Sequence, residues 1–176
     1  MKTLDSYVRK AKSLGITTAK IIDVENIIVG NWVRLKCQYG CRQYGKWLTC
    51  PPFSPTPNYT RKMLSDFSKA LLLYVENISF QESDEHRVRF KKIIATLERE
   101  IFLDNYYKAF GMTSGPCRLC RTCDTTKSCL HPYDARPSLE ACGIDVYHTA
   151  KNCGFKLEVV KSQDSLFSRV GVIIIQ

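Results

Sequence analysis

The clearest pattern of hydrophobic and polar positions predicts one long amphipathic helix from about residue 84 to residue 110. Its apolar residues recur at the i, i+3, i+4 and i+7 spacing that places them on one helix face. These residues are Phe90, Ile93, Ile94, Leu97 and Ile101. Ser83 or Asp84 is suited to cap the start, and Gly111 is suited to end the helix. Shorter helices are predicted over 3–14, 56–64 and 146–153, with a helical turn over 138–142.

Continuous or alternating apolar residues predict the strands. Residues 69–75 form an unbroken apolar run of the kind found in buried strands. Residues 17–24, 155–161 and 170–175 are also predicted strands, and residues 32–36 alternate as a strand that would lead into Cys37. Helices mixed with four or five strands predict an α/β fold, in which helices flank a mixed sheet. Because 176 residues fit one domain, the whole chain 1–176 is predicted to be a single domain.

Composition makes this a protein with a real core and no membrane span. The chain is 44% hydrophobic, yet no apolar run approaches the roughly 20 residues that would cross a bilayer. Its first residues are charged and lack the apolar core of an export signal. We therefore expect a cytoplasmic protein, in which thiols are kept reduced and do not form disulfides.

The cysteines change the picture, because most of the nine fall into two groups. We call Cys37, Cys41 and Cys50 the first cysteine group; it lies in a predicted loop, residues 37–57. The second cysteine group lies in a predicted loop, residues 112–143, and consists of Cys117, Cys120, Cys123 and Cys129. Clustered thiols in a reducing compartment indicate bound metal. The fold is therefore predicted to carry a cysteine-rich metal-binding layer.

The second cysteine group has the more specific spacing. Cys117, Cys120 and Cys123 follow one another at every third residue, as in the loops of bacterial ferredoxins that hold a [4Fe–4S] cluster. Cys129 comes after a longer interval and is predicted to complete this cluster or to bind the other one. A structural zinc site is the alternative, although zinc sites usually take two well-separated ligand pairs.

The first cysteine group has only three local thiols. A metal centre bound there needs a fourth ligand or keeps one coordination position open. Cys142, which follows the second group, is the candidate for the fourth ligand. Cys153 ends a predicted helix and is expected to be a buried, small hydrophobic residue.

Three functions follow from these sites. The first is an electron carrier with two [4Fe–4S] clusters, the second is an enzyme that uses an open iron for sulfur or small-molecule chemistry, and the third is a zinc-stabilised interaction module. No nucleotide-binding, nucleophile-elbow or metalloprotease motif supports a common enzyme class, which favours a carrier or accessory protein. Arg136 is expected either to donate hydrogen bonds to cluster sulfur or to a bound anion, or to pair with Glu140 or a helix end.

Charge indicates the kind of partner. The formal charge is +9, and four thiolates around each of two clusters would reduce it to roughly +5. This mildly basic protein suits an acidic redox partner. Nucleic acid is an unlikely partner, because no recognition motif is present.

Four segments carry a resemblance to a known family: LKCQYGC at 35–41, YGKWLTCPP at 44–52, GPCRLC at 115–120 and ARPSLEACGIDV at 135–146. In these segments the chain resembles the "predicted metal-binding protein" family of anaerobic archaea and bacteria. The resemblance implies metal bound by cysteines and no established reaction. Carried onto this chain, the implied ligands are Cys37, Cys41, Cys50, Cys117, Cys120, Cys123, Cys129 and Cys142.

Overall fold

The computed structural model describes residues 2–176 and shows a four-stranded sheet between two layers of helices. The strands are β1 (Thr18–Asp23), β2 (Lys69–Ile78), β3 (Phe110–Met112) and β4 (Phe167–Ile174). The helices are α1 (Leu4–Ser13), α2 (Asn31–Gly40), α3 (Pro57–Leu64), α4 (Ser83–Leu103) and α5 (Val146–Asn152), with short 3₁₀ turns at Val24–Asn26 and Glu140–Cys142.

The sheet has the strand order β1-β2-β4-β3, and every neighbouring pair is antiparallel. The α/β class and the number of strands are confirmed, but the sheet is antiparallel rather than mixed. A hydrophobic pattern does not encode strand direction, because direction depends on the end of the sheet at which each connection returns. Here Tyr74 of β2 pairs with Thr18 on one side and Val170 on the other.

Each face of the sheet is covered by its own hydrophobic core. On one face, α1 and α4 pack against Leu71, Leu73 and Ile173. On the other face, residues of α3 and of the 139–144 segment pack against Leu72 and Val172. The odd and even residues of β2 therefore divide between the two cores, as the pleat of a strand requires.

One predicted strand is instead a helix. Residues 32–36 lie in α2, which buries only Val33. Trp32 and Leu35 are about half exposed, at 49% and 56%. The sequence of α2 therefore lacks the apolar stripe of an amphipathic helix. Its alternating apolar and polar residues resemble the pattern of a strand instead.

Two further elements differ from the prediction. Residues 155–161 form no strand, and Val159 and Val160 in this segment are exposed. Helix α4 ends at Leu103, because Asn105 adopts a left-handed conformation, with φ 74°, that does not occur inside a helix. Gly111 does not end the helix. It lies in β3, where a Cβ would come within 2.6 Å of Ile94 on α4, so its function is close packing.

Within residues 2–176, none of the helices combines the length and apolar character that crossing a bilayer would require.

Candidate metal centre

The structure brings the thiols of the first cysteine group together. Cys37 lies in the last turn of α2, Cys41 follows the helix directly, and Cys50 is buried in the loop beyond it. Burial, with smaller contributions from the charges of Cys41 and Cys37, raises the pKa of Cys50 to about 11. All three residues line one cavity.

The second cysteine group is also brought together, in the loop after β3. Cys117 is buried, whereas Cys120, Cys123 and Cys129 are partly exposed. Burial raises the pKa of Cys120, with further contributions from the charges of the other three cysteines. The prediction that these four residues form one constellation is thus compatible with their placement.

The two cysteine groups meet. Cys50 of the first group and Cys117 of the second form one buried cluster with Trp47, and Cys120 and Cys123 pack against it. The guanidinium of Arg118 lies 5.4 Å from the centre of the Trp47 ring, a cation–π contact that covers this cluster. Sequence spacing alone does not reveal that these loops are neighbours.

A buried lysine lies beside both groups. Lys91 of α4 is 1% exposed, and its ammonium donates to the carbonyl oxygens of Ser114 and Gly115, each at 3.4 Å. Burial lowers the pKa of Lys91 to about 8, while charges on Cys117 and Cys50 act in the opposite direction. Thiolates at these two positions would therefore stabilise the ammonium.

Sequence reasoning missed Lys91, although a signal was present. Lys91 lies seven residues before Glu98, so both occupy the same side of α4, and both are buried. Two charged residues on the buried side of a helix need partners. The partners of Glu98 are described below, and those of Lys91 are the carbonyls and cysteines just named.

Backbone N–H groups are directed at sulfur in both groups. The N–H of Gln43 donates to Cys41 Sγ, and the N–H of His131 donates to Cys129 Sγ, both at 3.4 Å. Hydrogen bonds of this kind favour the charged form of an acceptor, here the thiolate. The thiol of Cys37 instead donates to the carbonyl oxygen of Glu140, at 3.8 Å.

Buried hydrogen bonds fasten the end of the first loop and α3 to the end of the second loop. The hydroxyl of Ser54 donates to the carbonyl oxygen of Ala141 at 2.6 Å, and the hydroxyl of Thr60 donates to that of Cys142 at 2.7 Å. Arg34 of α2 donates to the Ser54 hydroxyl at 3.2 Å. The loops that carry the thiols are thus held in place by groups other than the thiols.

Gly115 sets the approach to the second group. It has φ 64°, in the left-handed region, and a Cβ there would come within 3.3 Å of Arg87 Nε. A residue without a Cβ is favoured for both reasons. The turn that it makes directs the chain toward Cys117.

The structure does not bring Cys142 and Cys153 to the thiol groups. Both belong to the hydrophobic core that contains Leu72 and Val172. Burial raises the pKa of Cys142 to about 12; the other charges acting on it are those of Arg34, which lowers the pKa, and Glu140, which raises it. Its role as the fourth ligand stays a prediction, whereas the core packing of Cys153 matches the expected hydrophobic role.

Arg136 has a structural role. Its Nε and Nη2 donate to the two carboxylate oxygens of Glu98 at 2.6 and 2.7 Å, and its Nη1 donates to two backbone carbonyls. Glu98 also accepts from the N–H of Gly111 at 2.8 Å. The prediction that Arg136 pairs with Glu140 is therefore wrong. The guanidinium instead anchors the second loop to α4.

The types of donor groups fit a thiolate-bound centre, but their side chains are spread apart. Among residues 2–176, no three Cys, His, Asp or Glu side chains converge closely enough to hold a single metal ion. The seven grouped thiols, the N–H donors to sulfur and the buried ammonium nevertheless supply the ligands and the countercharge that such a centre needs.

Comparison with protein families supplies one match. The model of a family described as "Predicted metal-binding protein (DUF2284)" matches residues 20–175. This range includes both cysteine groups, Lys91 and all four strands except the first residues of β1. Comparisons with curated proteins and with solved structures find no match.

Proposed function

Because this chain belongs to the predicted metal-binding protein family, we propose that its two cysteine groups hold two [4Fe–4S] clusters and that the protein relays electrons to or from a protein partner. When bound, such clusters supply one-electron transfer. The proposal names the metal and the role more finely than the family does.

The observation that carries the proposal is the meeting of Cys50 and Cys117 beside Lys91. Two thiol groups that pack against each other would place two redox centres side by side. The buried ammonium would offset the negative charge that thiolates bring to this point. A buried lysine without anionic neighbours is costly, and thiolates at Cys117 and Cys50 would add to the charge of Glu140 in offsetting that cost.

The spacing of the second cysteine group favours a cluster over a single zinc ion. Cys117, Cys120 and Cys123 follow one another at every third residue, as in the ferredoxin loops that hold a [4Fe–4S] cluster. Structural zinc sites usually take two well-separated ligand pairs instead.

The exposure of the site supports exchange of electrons with a partner. Cys41 is exposed, and the second loop is largely at the surface. Arg121 and Lys127 are exposed in this same loop, where Lys127 pairs with Asp124 at 3.3 Å. We propose that an acidic redox protein docks here, because its charge complements these cations.

Anaerobic purification with metal and sulfide analysis tests the proposal. We expect about eight iron and eight sulfide per chain, from two four-iron clusters. Cys120→Ala should remove about half of both, because it takes a ligand from one group only. Cys153→Ala is the matched control and should keep the full content. Stoichiometric zinc without sulfide would contradict the proposal, and so would an equal loss of iron in both variants.

One observation favours a second candidate, an enzyme with an open iron at the first cysteine group. Cys37, Cys41 and Cys50 line a cavity, whereas Cys142 is buried in the core below. If three thiols are the only cysteine ligands, one coordination position faces the cavity. Cys142→Ala separates the candidates. An unchanged electron paramagnetic resonance signal from the first cluster supports the open site, and loss of that signal supports four-cysteine ligation.

A further inference from the structure

The cavity beside the first cysteine group has the size and composition of a small-molecule site. Its volume is about 610 Å³, within the range of ligand pockets, which combine apolar walls with a few polar groups. It lies between α2, the cysteine loop and the first half of β4, where β3 has ended. Trp32, Leu157 and Leu166 contribute apolar side chains to its walls.

Two polar atoms on side chains that line this cavity are buried without a hydrogen-bond partner among residues 2–176. One is a donor, Arg169 Nε, and the other is an acceptor, Glu140 Oε2. A buried polar atom that lacks a partner costs about 1–3 kcal/mol. Such atoms are rare in folded proteins, and two of opposite kind at one cavity indicate a ligand that satisfies both.

Arg169 is a built part of the site. It is 6% exposed, and its remaining nitrogens are held by Ser83 and Ser114. Nη2 donates to the Ser83 carbonyl at 2.8 Å and to its hydroxyl at 2.9 Å, and Nη1 lies 3.4 Å from the Ser114 hydroxyl. The guanidinium is thus fixed in orientation before a ligand arrives, and its Nε is buried without a hydrogen-bond partner.

The other acidic and basic groups of the cavity are engaged or exposed. Asp145 accepts from the N–H of His148 at 3.0 Å and caps α5. Lys156 and Glu158 pair with each other at 2.6 Å, and Lys36 lies at the exposed rim. Arg169 and Glu140 are therefore the charged pair through which the interior of the cavity can recognise a ligand.

We propose that this cavity binds an amino acid with an apolar side chain. The carboxylate of the amino acid accepts a hydrogen bond from Arg169 Nε, and its ammonium group donates to Glu140 Oε2. Its side chain lies along the wall formed by Trp32, Leu157 and Leu166. The inference goes beyond the proposed function: Arg169 and Glu140 belong to neither cysteine group, although Cys37, Cys41 and Cys50 line the same cavity.

Three probes of nearly equal shape test the proposal by equilibrium dialysis with the full, anaerobically purified chain. L-phenylalanine carries both charged groups, 3-phenylpropionate lacks the ammonium, and phenethylamine lacks the carboxylate. We expect phenylalanine to bind at least about 10-fold more tightly than either analogue, since each analogue leaves one buried charged group without its partner.

Two variants then assign each half of the ligand. Arg169→Met should weaken phenylalanine and phenylpropionate by about 10-fold and leave phenethylamine unchanged. Glu140→Gln should weaken phenylalanine and phenethylamine and leave phenylpropionate unchanged. Arg9→Met and Glu76→Gln, the same changes at exposed positions outside the cavity, should alter none of the three affinities.

The crossed pattern keeps the proposal falsifiable. Equal affinity for the three probes would overturn it, and so would variants that weaken all three probes alike. If circular dichroism shows that Arg169→Met does not fold, Glu140→Gln alone still decides the ammonium half. Iron and sulfide content measured on the same samples keeps this outcome separate from that of the cluster proposal.

Discussion

Replacing Lys91 by methionine tests whether a buried ammonium is kept for the cysteines beside it. The side chain is 1% exposed, and burial lowers its pKa from 10.5 to about 8. Because each pKa unit corresponds to 1.36 kcal/mol, the ammonium costs the metal-free protein about 3 kcal/mol at neutral pH. Methionine has a similar length and carries no charge.

The sign of the pH dependence follows from the two pKa values. Between pH 8 and 10.5 the unfolded chain holds a proton on Lys91 that the folded chain has lost. The free energy of unfolding of the natural protein should therefore rise with pH in this window, relative to that of Lys91→Met, by about 3 kcal/mol in total. Taking the difference between the two proteins removes the titration of the groups that do not interact with Lys91; Cys50 and Cys117 do interact with it and contribute to the difference.

Urea denaturation of metal-free protein at pH 7, 8, 9 and 10 measures this difference. Lys92→Met is the matched control, since Lys92 is exposed on the same helix, and its difference from the natural protein should stay flat with pH. In metal-loaded protein the ammonium should be stabilising instead of costly, so Lys91→Met should release iron faster to a chelator. A flat difference for Lys91→Met would refute the cost assigned to burial, and unchanged iron release would refute its pairing with the thiolates.

Three further predictions concern the loops and the thiols. Ser54→Ala should lower the free energy of unfolding by about 1–3 kcal/mol in urea denaturation, because it removes a buried donor to a backbone carbonyl; Ser65→Ala, which removes an exposed hydroxyl, should cost under about 0.5 kcal/mol. Gly115→Ala should be more destabilising than Gly154→Ala in thermal melts, since both have positive φ but only Gly115 has a side chain within reach of the added Cβ; equal shifts would attribute the whole effect to backbone strain. Chelator competition should show iron affinity falling as pH decreases from 8.5 to 6.5, because burial raises the pKa of Cys50 to about 11 and binding must displace its proton; affinity independent of pH would contradict this.

Local patterns predicted the elements that bury one clear face. The apolar stripe of α4 and the apolar run of β2 are found where expected. Asp145 caps α5 as predicted, by accepting from the N–H of His148. These features depend on neighbours in the sequence, so the sequence pattern displays them directly.

Features that depend on distant neighbours could not be predicted. Helix α2 buries only Val33, so its apolar residues reflect the cavity and the solvent rather than a core face. The contact between Cys50 and Cys117 joins loops that are 67 residues apart. Whether Arg169 Nε finds a hydrogen-bond partner depends on which groups β4 contacts in the folded protein, and it finds none. Spacing within a loop identified the thiols, but tertiary structure determined their neighbours.

The division of the core between two sheet faces has a consequence for how the protein matures. Neither core contains a member of the cysteine groups, and Ser54 and Thr60 fasten the first loop through hydroxyl groups. Zinc fingers, by contrast, fold only when metal arrives. We therefore expect this chain to complete its fold without metal and to receive metal afterwards, through the side where Cys41 is exposed. Maturation would then be a delivery step to a folded protein, and a damaged centre could be rebuilt without synthesis of a new chain.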